Sequence, residues 1–176
     1  GISIRMVPGN HDFALGKFFQ EELGAEIRGP HATQFSGYKF FVAHGDEVDR
    51  SHGYRLASAI LRGTPFRALM GALGPRRGTS LLQWLAGSSR AHNPNPGPLL
   101  EAQHHWARQL HTEGAQVVVM GHLHCPAIES WESGCFVQLG DWVEHRSWLV
   151  VQESGLELFC LDGEDQEPRS MGRWSP

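Results

Sequence analysis

A chain of 176 residues, 40% hydrophobic and 19% charged, has the length and composition of one globular domain with a core of its own. Its net charge of −4 provides no overall basic field, so no nucleic-acid partner is expected. Three widely spaced cysteines, Cys125, Cys135 and Cys160, make neither a Cys-x-x-Cys pair nor a disulfide framework and fit a reducing cytoplasm. No apolar run reaches the roughly 18 residues needed to span a bilayer, so any membrane contact is expected to be peripheral.

In chain order, the apolar run Ile2 to Val7 reads as a strand that ends in Pro8-Gly9-Asn10-His11-Asp12 and passes into a helix over Phe13 to Leu23. Asn and Asp are ordinary turn and capping residues, so this loop alone is as well explained by a helix cap as by chemistry. Ala25 to Gly29, Thr33 to Ser36 and Tyr38 to Ala43 read as short antiparallel strands, the last ending in His44-Gly45-Asp46. Gln116 to Met120 is a buried strand by its continuous apolar run, and it ends in Gly121-His122-Leu123-His124. Three strand-like runs thus end in Gly and His with a further oxygen or nitrogen donor beside them, which suggests that the strand ends converge on a metal site. Amide oxygen and imidazole nitrogen suit Mn, Fe or Zn, whereas a cage of carboxylates alone would suit Ca or Mg.

Between the second and third of these motifs, about residues 51–97, the chain turns to apolar helical segments broken by Gly and Pro: Tyr54 to Leu61, Phe66 to Leu73 and Leu81 to Leu85. Two readings stand. The segment is a helical insertion with its own small core, or a lid whose apolar face holds lipid tails or touches a membrane surface. Arg55, Arg62, Arg67, Arg76, Arg77 and Arg90 punctuate it, either as solvated faces or to meet phosphates. After a Pro-rich loop, Leu99 to His111 is a helix with Leu99, Trp106 and Leu110 inward and Glu101, His105 and Arg108 outward. His104 and His111 lie two turns apart, too far to share an ion, and are expected on the surface. Ala127 to Ser130, Cys135 to Leu139, Trp148 to Gln152 and Leu156 to Leu161 are expected to form a second, largely antiparallel sheet, and the polar stretch 162–176 a disordered tail.

The motifs Gly9-Asn10-His11-Asp12, His44-Gly45-Asp46 and Gly121-His122-Leu123-His124, in this order, resemble the last three metal-binding motifs of the calcineurin-like metallophosphoesterases. Within that superfamily the chain is most similar to the UDP-2,3-diacylglucosamine pyrophosphatases of lipid A synthesis. That likeness is carried by Leu15-Gly16-Lys17 after Phe13, Gly53-Tyr54-Arg55, Ser88-Ser89-Arg90 and Leu139-Gly140-Asp141-Trp142. The resemblance implies an α/β fold: a two-sheet sandwich flanked by helices, with one phosphoesterase domain over residues 1–161 and a helical lid insertion. It implies two divalent transition-metal ions, Mn²⁺ first and Fe or Zn as alternatives, with Asn10, His44 and His122 on one ion and His124 on the other. His11 would be the catalytic residue that protonates the leaving oxygen or stabilises phosphoryl charge; the subgroup often carries Arg at this place. Asp12 and Asp46 would orient the ligands from behind, a turn Asp being an equal reading for Asp46 and for Asp141. Lys17, Tyr54 and Arg90 would touch substrate.

The family pattern opens with an Asp-x-His strand end and a Gly-Asp motif, neither of which precedes Val7. The chain is therefore expected to be the carboxyl-terminal part of a longer protein, the other reading being that those ligands are lost. The activity implied is hydrolysis of the nucleotide-sugar lipid UDP-2,3-diacylglucosamine to UMP and 2,3-diacylglucosamine 1-phosphate by metal-activated water. It would take place in the cytoplasm or at the cytoplasmic face of the inner membrane. The alternatives are a phosphodiesterase or phosphatase of the same fold with a soluble substrate, and a non-catalytic scaffold.

Overall fold

The computed structural model describes residues 1–10, 12, 18–92, 97–161 and 167–176, with side chains 62, 67, 75, 79, 83 and 85–92 outside the description. Its elements are β1 (Arg5–Met6), α1 (Phe18–Glu21), β2 (Glu26–Ile27), β3 (His31–Phe35), β4 (Tyr38–Val42), α2 (His52–Arg62), α3 (Thr64–His92) and α4 (Gly97–Thr112). There follow β5 (Val117–Met120), β6 (Ala127–Ser130), β7 (Cys135–Gln138), β8 (Trp148–Gln152), β9 (Gly155–Cys160) and β10 (Arg169–Trp174). The expected helix over Phe13 to Leu23 is seen as α1 alone, since residues 13–17 lie outside the described set.

A five-stranded sheet in the order β3-β4-β5-β7-β6 forms the centre. β4, β5 and β7 run parallel, while β3 and β6 flank them antiparallel. Burial explains their sequences: Val117–Met120 and Cys135–Gln138 are buried at every position, which is what strands covered on both faces require. On one face Tyr38, Phe40, Val117, Val119 and Val137 pack against Leu156, Leu158 and Trp174 of the antiparallel sheet β10-β9-β8. On the other, Ala107 and Leu110 of α4 cover Val118, Met120 and Phe136. The architecture is mixed α/β, two sheets face to face with a helix outside.

Four expectations are corrected. β2 pairs in parallel with β1 in a small sheet of its own, because Glu26 N donates to Ile4 O and Arg28 N to Met6 O; it joins no antiparallel meander. β6 and β7 belong to the central sheet, since β7 takes its register from β5 rather than from β8. Within the expected disordered tail 162–176, the described part is ordered: Arg169–Trp174 adds β10 to the edge of β9, and its last residue buries an indole that meets Tyr38 edge-on with ring centroids 5.5 Å apart. Gly172 lets this strand lie over β6, where a Cβ would fall 2.2 Å from Ile128 Cγ2. Residues 162–166 are outside the described set. Finally, His104 and His111 are half-buried ties. His104 Nδ1 stands 2.9 Å from Glu129 Oε2 with its ring on Phe136; His111 Nδ1 donates to Ala115 O at 2.7 Å while its Nε2 faces Ser133 Oγ at 3.2 Å.

The insertion between β4 and β5 is helical as expected, with longer helices. Ser51 caps α2, its Oγ accepting from Tyr54 N, and Gly63 ends it. The run of α3 is broken at Gly74, whose φ of 69° is open to glycine at little cost; the halves then fold back so that Gly78 faces Met70. Here the burial pattern inverts the usual one. Tyr54, Ser58 and Leu61 of α2 are half-buried, while Leu56 and Ile60 stand 65% and 57% exposed, joined by Leu69 and Trp84 of α3 at 48% and 69%. Four large apolar side chains of the insertion thus stand open to solvent. No described helix is long and apolar enough to cross a membrane.

Candidate functional site

Because β4, β5 and β7 are parallel, their carboxyl ends open on one edge of the sheet, the place where open α/β sheets collect ligands. His44 leaves β4 there and His122 leaves β5. The two loops are bonded, Gly121 N donating to His44 O at 2.9 Å. Gly45 turns at φ 102°, and beyond it His122 and His124 hold φ values of 72° and 55°. For residues with a Cβ such angles cost on the order of 1–3 kcal/mol each and tend to mark functional loops. The Leu123 N–H closes this turn on Gly121 O at 2.9 Å.

The first loop arrives from β1. Asp12 carboxylate accepts from Gly9 N at 3.0 Å, and Asp12 N donates back to Gly9 O at 3.0 Å, so the loop is locked on itself. Gly9 is buried against the His44 imidazole: a Cβ here would fall 2.6 Å from Cε1 and 2.9 Å from each ring nitrogen. That close approach puts Asn10 Oδ1 3.0 Å from His44 Nε2. The His122 ring lies 5.1 Å from the His44 ring, centroid to centroid. Burial, then the neighbouring His44, pushes the His122 imidazole down to about 4 against a partial pull from Asp46 and Asp49. It is neutral at physiological pH, the form that binds metal.

Of the residues expected from sequence, the structure gathers Asn10, His44 and His122. His124 is exposed next to them, near enough to add to the repulsion that keeps His122 unprotonated. Asp46 is buried and accepts from the Tyr54 hydroxyl, whose ring also faces His122 at 6.0 Å, so α2 is fastened to the site through one side chain. His11 and Lys17, and the side chain of Arg90, lie outside the described residues. Asp141 follows β7 at the same edge. Burial opposes its ionisation, but the His145 imidazole at 2.5 Å and the N–H groups of Glu144 and Val143 outweigh it and hold the carboxyl well below the usual range.

The donor set suits a transition metal: one amide oxygen and two imidazoles, the first two about as far apart as neighbouring ligands of one ion with bonds near ~2.1 Å. Among the described residues no three His, Cys, Asp or Glu side chains cluster to hold an ion by themselves. The set thus fits one ion in part, and the carboxylate expected to bridge a pair is not among these residues.

A cleft of about 1040 Å³ opens beside the three donors, lined by Gly9, Asp12, Asp46 and Tyr54 and by the cations Arg50 and Arg55. Sequence reasoning missed Arg50, which follows no motif. It also missed Gln103, expected on neither face of its helix yet fully buried under the site, where its Nε2 is 3.0 Å from Gly45 O. A polar residue four places before Ala107 and seven before Leu110, on the buried stripe, was the available signal.

No protein-family model matches the chain. Among curated proteins it is 29% identical over 175 residues to a UDP-2,3-diacylglucosamine hydrolase of Shewanella sp. (strain MR-7), covering 91% of this chain and 69% of that protein. It is 31% identical over 180 residues to a protein of the same name from Pseudomonas fluorescens (strain Pf-5), covering 92% and 68%. Solved structures that resemble it include vacuolar protein sorting 29 of Cryptosporidium parvum, with 14% identity, a TM-score of 0.45 and coverage of 86% and 59%. A predicted phosphoesterase of Streptococcus pneumoniae TIGR4 has 14% identity, a TM-score of 0.44 and coverage of 97% and 69%. At those scores the structural likeness bears no weight.

Proposed function

The chain belongs to the UDP-2,3-diacylglucosamine hydrolases, and we propose that it cleaves the phosphoric anhydride of UDP-2,3-diacylglucosamine in a metal-dependent reaction. The oxygen of water joins the UMP phosphorus and the anhydride oxygen leaves with 2,3-diacylglucosamine 1-phosphate. The observation that carries this reading is the meeting of Asn10, His44 and His122 at the sheet edge, under an insertion with an exposed apolar face.

Asn10 Oδ1, His44 and His122 would hold one divalent ion, Mn²⁺ by preference, and His124 would reach a second. Bound there, such ions supply Lewis-acid polarisation of the phosphoryl group and activation of water. The chain's own residues do the rest. Gly9 gives the His44 ring its seat, and Asp12 fixes the loop that carries Asn10. Arg50 and Arg55 face the cleft where the diphosphate would lie and offset its charge. Tyr54, tied to Asp46, holds α2 over the site. His11 is the proposed proton donor to the leaving oxygen, while Lys17 and Arg90 are further proposed contacts to substrate.

Leu56, Ile60, Leu69 and Trp84 would take the two acyl chains and bring the protein against the membrane surface from which such a lipid comes. The test is Mn²⁺-dependent release of UMP from UDP-2,3-diacylglucosamine by the natural full-length protein. His122→Ala should abolish turnover, and Leu69→Ala with Trp84→Ala should raise KM while leaving Mn²⁺ binding intact. Turnover that survives chelation and His122→Ala would overturn the metal assignment. A double variant with unchanged KM would overturn the lipid one.

A further inference from the structure

We propose that Gln103 is a positioning residue that sets the spacing of the His44 and His122 rings, an inference that rests on the assignment of these imidazoles as metal ligands. Gln103 stands in the middle of α4 with no exposed surface, the one polar side chain on a buried stripe otherwise made of Ala107 and Leu110. A primary amide in such a place must find partners for two N–H groups and a carbonyl. Its Nε2 lies 3.0 Å from Gly45 O and 3.4 Å from Gly121 O, and its Oε1 accepts from Gln138 Nε2 at 3.0 Å. Gly45 follows His44 and Gly121 precedes His122. One amide group therefore spans the backbones of both ligand loops, and through Gln138 it is braced on the end of β7.

The two loops share a direct bond as well, Gly121 N to His44 O. With Ala43 N to Val119 O it continues the β4–β5 ladder and keeps the two backbones in register as far as His44. The Gln103 amide adds an attachment beyond the end of that ladder, at Gly45 and Gly121, where the chain turns and each ring takes its direction. The loop is pressed onto it: Gly45 is in the left-handed region, and a Cβ there would fall 2.4 Å from Gln103 Nε2. Packing alone would not select this side chain, because an apolar residue of equal length would fill the same space beside Ala107 without three polar atoms to satisfy.

Gln103→Met keeps length and volume and removes both donors. The His44 and His122 ring signals, read by nitrogen–proton NMR in protein without added metal, are expected to shift while those of His31 and His111 stay in place. The Mn²⁺ dissociation constant should rise by about 10–100-fold, the usual effect of losing a group that orients ligands. Leu158→Ala, in the core between the sheets, should lower Tm without moving either reading. Ring signals that match the wild type in Gln103→Met, or that move as much in Leu158→Ala, would overturn the proposal. Should the wild type take up no Mn²⁺, the ligand assignment falls and the ring signals alone decide on positioning. If Gln103→Met does not fold, Gln138→Met, which removes the brace on Oε1, makes the same comparison.

Discussion

Gly9→Ala tests the site at its tightest point. Gly9 lacks a left-handed φ, so alanine brings no backbone strain, and its whole effect is the added methyl. That methyl would lie 2.6 Å from His44 Cε1, against roughly 3.5–4.0 Å for carbon atoms in ordinary contact. The ring must therefore move by about 1 Å, out of its place beside Asn10 Oδ1. A misplacement of that size at a reacting centre costs about 10²-fold in rate, which is about 2.7 kcal/mol of transition-state stabilisation. The assay is kcat/KM for UMP release with saturating Mn²⁺, read beside a urea titration, in which overpacking should take about 1–3 kcal/mol. Gly29→Ala is the control, because a Cβ there meets nothing within 4 Å. A Gly9→Ala protein within twofold of wild type, or one no worse than Gly29→Ala, would refute the reasoning.

Trp174→Ala should lower stability by about 3–5 kcal/mol, since the indole is 5% exposed in the core between the sheets; a urea midpoint unchanged by the substitution would mean that β10 does not hold in solution. Tyr54→Phe removes the hydroxyl that donates to Asp46 and should cut kcat by about tenfold, the effect of one hydrogen bond to a charged group, with Mn²⁺ affinity preserved. Folding lowers the Asp141 carboxyl below its unfolded value near ~3.9, so its contribution is whole above about pH 4 and is lost as pH falls through the folded value. Asp141→Asn should therefore lower the unfolding free energy at pH 7 by on the order of 2 kcal/mol, read by urea titration, and its deficit against wild type should close in stronger acid; a deficit that widens there contradicts the pairing with His145.

The sequence announced the three loops because each is a local pattern: an apolar run, then a glycine and a donor side by side. Asn10, His44 and His122 accordingly meet where the strand endings implied. What it concealed was decided between distant segments. Nothing local tells β7 to pair with β5 rather than with β8, since both neighbours are apolar strands and the choice is made by register. Arg169–Trp174 reads as polar because its strand has one buried end residue, and that residue is worth burying only once Tyr38 is across from it. Gln103 gives no sign of its role, because an amide looks the same facing water or two backbone carbonyls. The helical texture of residues 51–97 was legible in composition, and an outward apolar face was one of two readings of it; Tyr54, Ser58 and Leu61 take the half-buried positions of α2 and leave Leu56 and Ile60 exposed.

The placement of that insertion between two adjacent parallel strands bears on how such a protein can change. β4 and β5 pair directly, so the connection between them closes on itself whatever its length, and doubling a flexible loop adds only about 0.6 kcal/mol to the cost of closure. α2 and α3 can lengthen, shrink or be exchanged with little effect on the strand ends that carry His44 and His122, provided that α4 keeps Gln103 under the two loops and a residue in the place of Tyr54 still reaches Asp46. On the function proposed above, reaction chemistry and preference for a particular hydrophobic cargo would be separable in heredity: one written in the sheet, the other in a segment that can be replaced as a cassette.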